Sequence, residues 1–149
     1  MKLLAVLLVL PTGLLVAGCL QSSKDRYIAD FRPLNDRLVQ VNGQMVETIN
    51  TASTRSPRRF AAKLTPLSAQ LTTLSRQIGD LDTPEDLRQE SAALTRSLDS
   101  TGVGANRTAT FARRADARAL TRATMDLADH VNRVIRDNRR LAKATGAAG

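Results

Sequence analysis

Cysteine occurs once in these 149 residues, histidine once and tryptophan not at all. One thiol forms no intrachain disulfide, and with a single histidine it cannot supply the three or four protein ligands of a zinc site. Aromatic side chains are confined to Tyr27, Phe31, Phe60 and Phe111, so a core must come from leucine, valine and alanine. Their scarcity also removes the stacking platforms that hold single-stranded nucleic acid. Negative charge is short as well: 14 Asp and Glu against 22 Lys and Arg give a formal +8. Arginine accounts for 18 of those cations and lysine for 4, the bias of a high-GC coding sequence. No segment alternates in the manner of a strand, and no loop has the pattern of an EF-hand or a phosphate loop. Gly102-Val103-Gly104 lacks every other element of a nucleotide fingerprint.

The one cysteine is informative by its place. Met1-Lys2 gives a positive start, Leu3 to Ala17 is apolar, and Leu15-Val16-Ala17-Gly18-Cys19 closes the run with small residues. A charged start, an apolar stretch of about 7–15 residues and small residues before the cut are the parts of a secretory signal. A spanning helix needs about 20 apolar residues, and Pro11 with Gly13 weakens this stretch further, so a permanent span is not expected. The segment Leu15 to Cys19 resembles the lipobox of bacterial lipoproteins. The resemblance implies that the Cys19 thiol receives a diacylglycerol and that residues 1–18 are removed as a signal peptide. Residues 19–23 would then be a lipidated tether on the extracytoplasmic face of the cell membrane. Residues 24–145 would be the folded domain and 146–149 a flexible tail. Two acyl chains anchor firmly where one gives marginal binding. Acylation would also consume the only thiol, excluding a cysteine nucleophile. A plain secretory signal followed by a free thiol is the competing reading.

Four segments carry helical periodicity. Tyr27, Phe31, Leu34, Leu38, Val41 and Met45 form a heptad seam ending near Ile49, with Pro33 expected to kink it or split off a first turn. The second segment opens at Ser56-Pro57, a capping residue followed by proline at the first helical position. Its seam is Phe60, Leu64, Leu67, Leu71, Leu74, Ile78 and Leu81, bent at Pro66. The third opens at Thr83-Pro84-Glu85-Asp86, where Thr83 can cap and two carboxylates suit the helix dipole. Leu87, Leu94 and Leu98 follow, with a kink or break expected near Gly102–Gly104 because each glycine costs about 1 kcal/mol. The fourth starts near Asp116 and runs to about Thr145 on Leu120, Leu127, Val131, Val134 and Leu141. Short connections make sequential helices antiparallel neighbours. The predicted fold is all-α: an up-down-up-down antiparallel four-helix bundle, with an extended coiled coil as the rival.

That topology sorts the charge. With Cys19 anchored, the first-to-second and third-to-fourth turns share the end away from the membrane. Near them lie Arg55, Arg58, Arg59, Arg107, Arg113, Arg114, Arg118 and, one turn further, Arg122, against only Glu47 and Asp116. At the near end Asp80, Asp82, Glu85 and Asp86 face Lys24, Arg26, Arg136, Arg139, Arg140 and Lys143. A basic pole facing away from the membrane is therefore expected. Arginines at helix ends are ordinarily just solvated, but Arg58 and Arg59 sit where the helix dipole disfavours cations. Such a pole would draw an anionic envelope polymer or an acidic protein. Nucleic acid is the poorest candidate, lacking interleaved aromatics.

Other chemistry is thin. His130 has Asp126 four residues before it, a pairing more ordinary as a rim hydrogen bond than as a base or metal ligand. Asp82, Glu85 and Asp86 are explained by capping. No base is placed to activate any Ser or Thr, so neither enzyme activity, nor a metal, nor a cofactor is expected. Ser91, Thr101, Thr108, Thr124 and Asn138, with several alanines, make the core between the third and fourth helices small and partly polar. That pattern reads as close packing or, alternatively, as a cavity for an apolar or lipid-like ligand carried between those helices. Taken whole, the lipobox, heptad helices and Thr83-Pro84 start resemble the small helical lipoproteins of high-GC Gram-positive bacteria. The resemblance implies location and helical fold, and no activity.

Overall fold

The computed structural model describes residues 22–51 and 56–146; Cys19 and Arg55 lie outside them, as do the expected signal segment 1–18 and residues 147–149. The described residues are mostly helical, with no strand among them. Helix α1 spans Ser23–Asn50, α2 Pro57–Gly79, α3 Arg88–Arg114 and α4 Ala117–Thr145, with a single 3-10 turn at Glu85–Leu87. Adjacent helices pack on one another as in a bundle. Contacts between α2 and α3 join Ser68 to Gly102 and Ser75 to Thr95, and those between α3 and α4 join Ser97 to Asp137 and Thr108 to Ala123. Residue numbers thus rise along one helix as they fall along its neighbour.

The heptad seams face inward as their spacing dictates. Tyr27, Phe31, Leu38 and Met45 from α1, Leu64, Leu71 and Ile78 from α2, Leu94 and Leu98 from α3, and Leu127, Val134 and Leu141 from α4 are all buried. Each such side chain stabilises the fold by about 1.5–3 kcal/mol relative to exposure. Between α2, α3 and α4 the fill is smaller: Ala105, Ala109, Thr101 and Thr108 are buried there too.

Several local expectations are corrected. Helix α3 runs unbroken through Gly102 and Gly104. These glycines serve close approach rather than a break: a Cβ on Gly102 would sit 3.1 Å from Thr72 Oγ1 and 3.5 Å from Ser68 O. Ser68 Oγ donates to the Gly102 carbonyl at 2.8 Å, so a hydrogen bond joins the two helices at this close approach. Pro33 splits off no first turn; it and Pro66 each lie inside a continuous helix, where each removes one backbone donor. Ser22 and Ser23, expected in the tether, belong to the helix start. Ser22 caps α1 in a capping box with Asp25, accepting from the Asp25 amide at 3.1 Å, and Ser23 is its first residue. Thr83 does not cap α3; its hydroxyl donates to Leu81 O, and the 3-10 turn leads into α3 instead. Ser56 precedes Pro57 as expected but makes no side-chain cap bond. Asp116 does cap α4, accepting from the Ala119 amide at 3.0 Å.

Candidate functional site

The α3–α4 connection is only Ala115 and Asp116. Ala115 adopts φ 55°, the left-handed region, and its amide bonds back to Ala112 O at 3.2 Å. This tight reversal sets Arg113 and Arg114 at the end of α3 beside Arg118 at the start of α4, all three exposed. The one carboxylate in the turn, Asp116, is occupied by capping. Arg113 reaches across to α2, its Nη1 donating to Thr65 Oγ1 at 3.2 Å. Arg58 and Arg59 are exposed in the first turn of α2, which holds no acidic residue and no side-chain cap. Arg59 lines a groove of about 300 Å³ with Lys63, Phe60 and Thr48, where the end of α1 meets the start of α2.

Arg107 and Arg122 are brought together. Both line a groove of about 270 Å³ between α3 and α4, whose other walls include Phe111, Asp126, Leu127 and His130. The Arg107 guanidinium lies over the Phe111 ring, 5.5 Å from its centroid, a cation–π contact that pre-positions it. Arg58, Arg114 and Arg118 are not part of that groove's lining. Among the described residues, none of these arginines lies within ion-pair distance of a carboxylate.

The opposite end differs. Lys24 Nζ meets Asp86 Oδ2 at 2.8 Å, tying the start of α1 to the turn before α3. The hydrogen bond from Lys24, with its positive charge, holds the Asp86 carboxyl below the usual carboxylate range. Of the other basic residues there, Arg140 reaches Asp137 at 3.7 Å. Asp137 is a buried carboxylate absent from the sequence-predicted candidates. It accepts from Ser97 Oγ across the α3–α4 interface. Its signal was available: Asp137 lies three residues after Val134 and four before Leu141, in phase with the buried seam.

The expected His130–Asp126 hydrogen bond is not formed. The His130 ring turns toward α3, where Gly104 leaves room; a Cβ there would lie 3.4 Å from its Cδ2. Its Nδ1 is buried with no hydrogen-bond partner. The groove beside it is open and lined by charged as well as apolar groups, unlike the enclosed apolar cavity that a lipid-like ligand would call for. Thr108 lies beneath it with its hydroxyl 2.8 Å from Gly104 O and 3.2 Å from Ala123 O, committed to backbone carbonyls. Comparison of the chain with protein-family models, with curated proteins and with solved structures finds no match. Among the described residues no three His, Cys, Asp or Glu side chains cluster as metal ligands, and no helix is long and apolar enough to cross a membrane.

Proposed function

We propose that the chain is a lipoprotein anchored through Cys19 on the extracytoplasmic face of the cell membrane. Its domain, an up-down-up-down bundle, presents a basic pole that binds an anionic envelope polymer or an acidic protein. The role is binding rather than catalytic. The antiparallel order of the α2–α3 and α3–α4 contacts supports that topology. One observation carries the reading: six exposed arginines, Arg58, Arg59, Arg107, Arg113, Arg114 and Arg118, gather at or near the helix ends and pair with no carboxylate among the described residues, while the cations of the other end stand among Asp80, Asp82, Glu85 and Asp86, the last paired with Lys24. Unpaired cations crowding one end sum into a field that concentrates polyanions and weakens as salt rises.

The test is capture of envelope partners at low and high salt, comparing wild type with the variant carrying Arg58→Ser, Arg59→Ser, Arg113→Ser and Arg114→Ser. Binding should fall steeply with salt and fall with the variant. Capture indifferent to both would sink the reading. Fractionation of Cys19→Ser cells should move the protein out of the membrane fraction.

A second reading, a ligand held between α3 and α4, is favoured by one observation. The only histidine and two arginines from different helices converge on the groove there.

A further inference from the structure

We propose that the α3–α4 groove binds a small organic anion, its charged head clamped by Arg107 and Arg122 and its apolar body laid along Phe111 and Ala119. The proposal rests on the second reading above and names its ligand class. Three features of the groove converge on that chemistry.

The first is charge. Arg107 comes from α3 and Arg122 from α4, so the groove is flanked by one guanidinium on each wall. Asp126, exposed at the rim, is the one carboxylate among the lining residues, which leaves one positive charge uncompensated. Guanidinium forks suit the paired oxygens of carboxylate, sulfonate or phosphate.

The second is preorganisation. Stacking over Phe111 restricts Arg107 before any ligand arrives, so less rotamer freedom is lost on binding. Buried Nδ1 of His130 has no partner in the protein, an unmet polar group on a residue that lines the groove.

The third is the floor. Gly104, Ala119 and Ala123 offer no polar side-chain atoms, and the Thr108 hydroxyl is already bonded to carbonyls. Such a floor favours an apolar body over a bare hydrated ion. At about 270 Å³ the groove lies just below the range of about 300–1,000 Å³ usual for drug-sized ligands, which suits a single ring or a short chain.

The experiment titrates the purified full chain with 8-anilinonaphthalene-1-sulfonate, its neutral counterpart N-phenyl-1-naphthylamine, and inorganic phosphate. Because His130 is the only histidine, its ring signal in a carbon-edited NMR spectrum identifies itself and reports occupancy of this groove alone. The sulfonate should shift that signal saturably and at least tenfold more tightly than either other probe. Arg107→Gln with Arg122→Gln should weaken it at least tenfold with the circular dichroism spectrum unchanged. Arg32→Gln with Arg37→Gln, exposed on α1, should not. A neutral probe that binds as well as the sulfonate would leave the second reading standing and overturn the anion clamp. Phosphate binding as tightly as the sulfonate would remove the organic body. A His130 signal that no probe moves would overturn both, without touching the pole, whose test uses other arginines.

Discussion

Helix α3 and helix α1 are held in different ways. Where α3 meets its neighbours, small residues let the backbones close and buried hydroxyls reach carbonyl oxygens across the gap. Ser68 bonds to Gly102, Ser75 to Thr95 and Thr108 to Ala123, while Ser97 bonds to the Asp137 carboxylate. Where α1 meets the rest, the contact is made by bulky Tyr27, Phe31, Leu38 and Met45. Polar atoms there are left over: Tyr27 OH, Asn42 Oδ1 and Asn138 Oδ1 are buried without partners, against Gln77 Oε1 and His130 Nδ1 on the other helices. Asn138 Nδ2 does donate to Asn35 Oδ1 at 2.8 Å, a cross-helix bond on that side. Apolar burial is non-directional, whereas a hydroxyl aimed at one carbonyl fixes register. The α2–α3–α4 side is therefore specified by geometry, and α1 is held chiefly by area. In the proposed orientation α1 is also the helix that carries the anchor, so the groove-bearing part hangs from the less specified joint.

The sharpest way to break this contrast is to deny α3 its close approach. Gly102→Leu would drive a side chain into Thr72 Oγ1 and Ser68 O, which already stand 3.1 and 3.5 Å from an added Cβ. Overpacking of this kind costs about 3 kcal/mol. For a domain of this size that lowers the thermal midpoint by about 10 °C. A midpoint within 2 °C of wild type by circular dichroism would mean that α2 and α3 are not in close backbone contact. Val39→Leu on exposed α1 surface, by contrast, should pass almost unnoticed.

Asn42 offers the opposite change, a gain. It is 6% exposed, its Oδ1 has no partner, and a groove of about 370 Å³ shared with Gly43 and Ile135 lies beside it. Asn42→Leu removes an unmet acceptor and has room for its methyl groups. Stability should rise by about 1 kcal/mol, read as a shifted urea midpoint at unchanged slope. A loss of that size would show that Asn42 holds a bond the α1 side depends on.

The seams were legible because they depend only on spacing. Phe31, Leu38, Leu71 and Leu127 are buried for the reason their positions announce: a 3.5-residue repeat keeps one stripe facing inward. The Asp116 cap was readable for the same local reason. What the sequence hid is set by the distance between helices. Two glycines in α3 read as a weakness when helix propensity is summed, yet α2 and the His130 ring occupy the space they leave. His130 and Asp126 are well spaced for a bond along α4, but the vacancy at Gly104 draws the ring to α3. The Arg107–Arg122 groove is legible only after α3 and α4 are set antiparallel at close range. Cys19 and Arg55 lie outside the described residues, so the anchor is argued from the lipobox alone.

The smallest effect at neutral pH, and the most direct report on how α1 is seated, belongs to Tyr27. Its hydroxyl is buried and makes no hydrogen bond of good geometry, though Ser91 and Thr83 hydroxyls approach it and partly offset the effect. Burial dominates and raises its pKa above 10.0. The folded protein then keeps a proton that the unfolded chain releases near pH 10, so this group's contribution to stability falls as pH rises beyond 10. Tyr27→Phe should change little at pH 7 and should flatten part of the alkaline decline. As the only tyrosine in a chain without tryptophan, Tyr27 can be titrated alone by tyrosinate absorbance at 295 nm. Ionisation should come at higher pH in the native protein than in concentrated urea. Coincident curves would mean that water reaches the hydroxyl in the native state and that the α1 side is open where its buried aromatic pair, Tyr27 stacked on Phe31 at 5.8 Å, should close it.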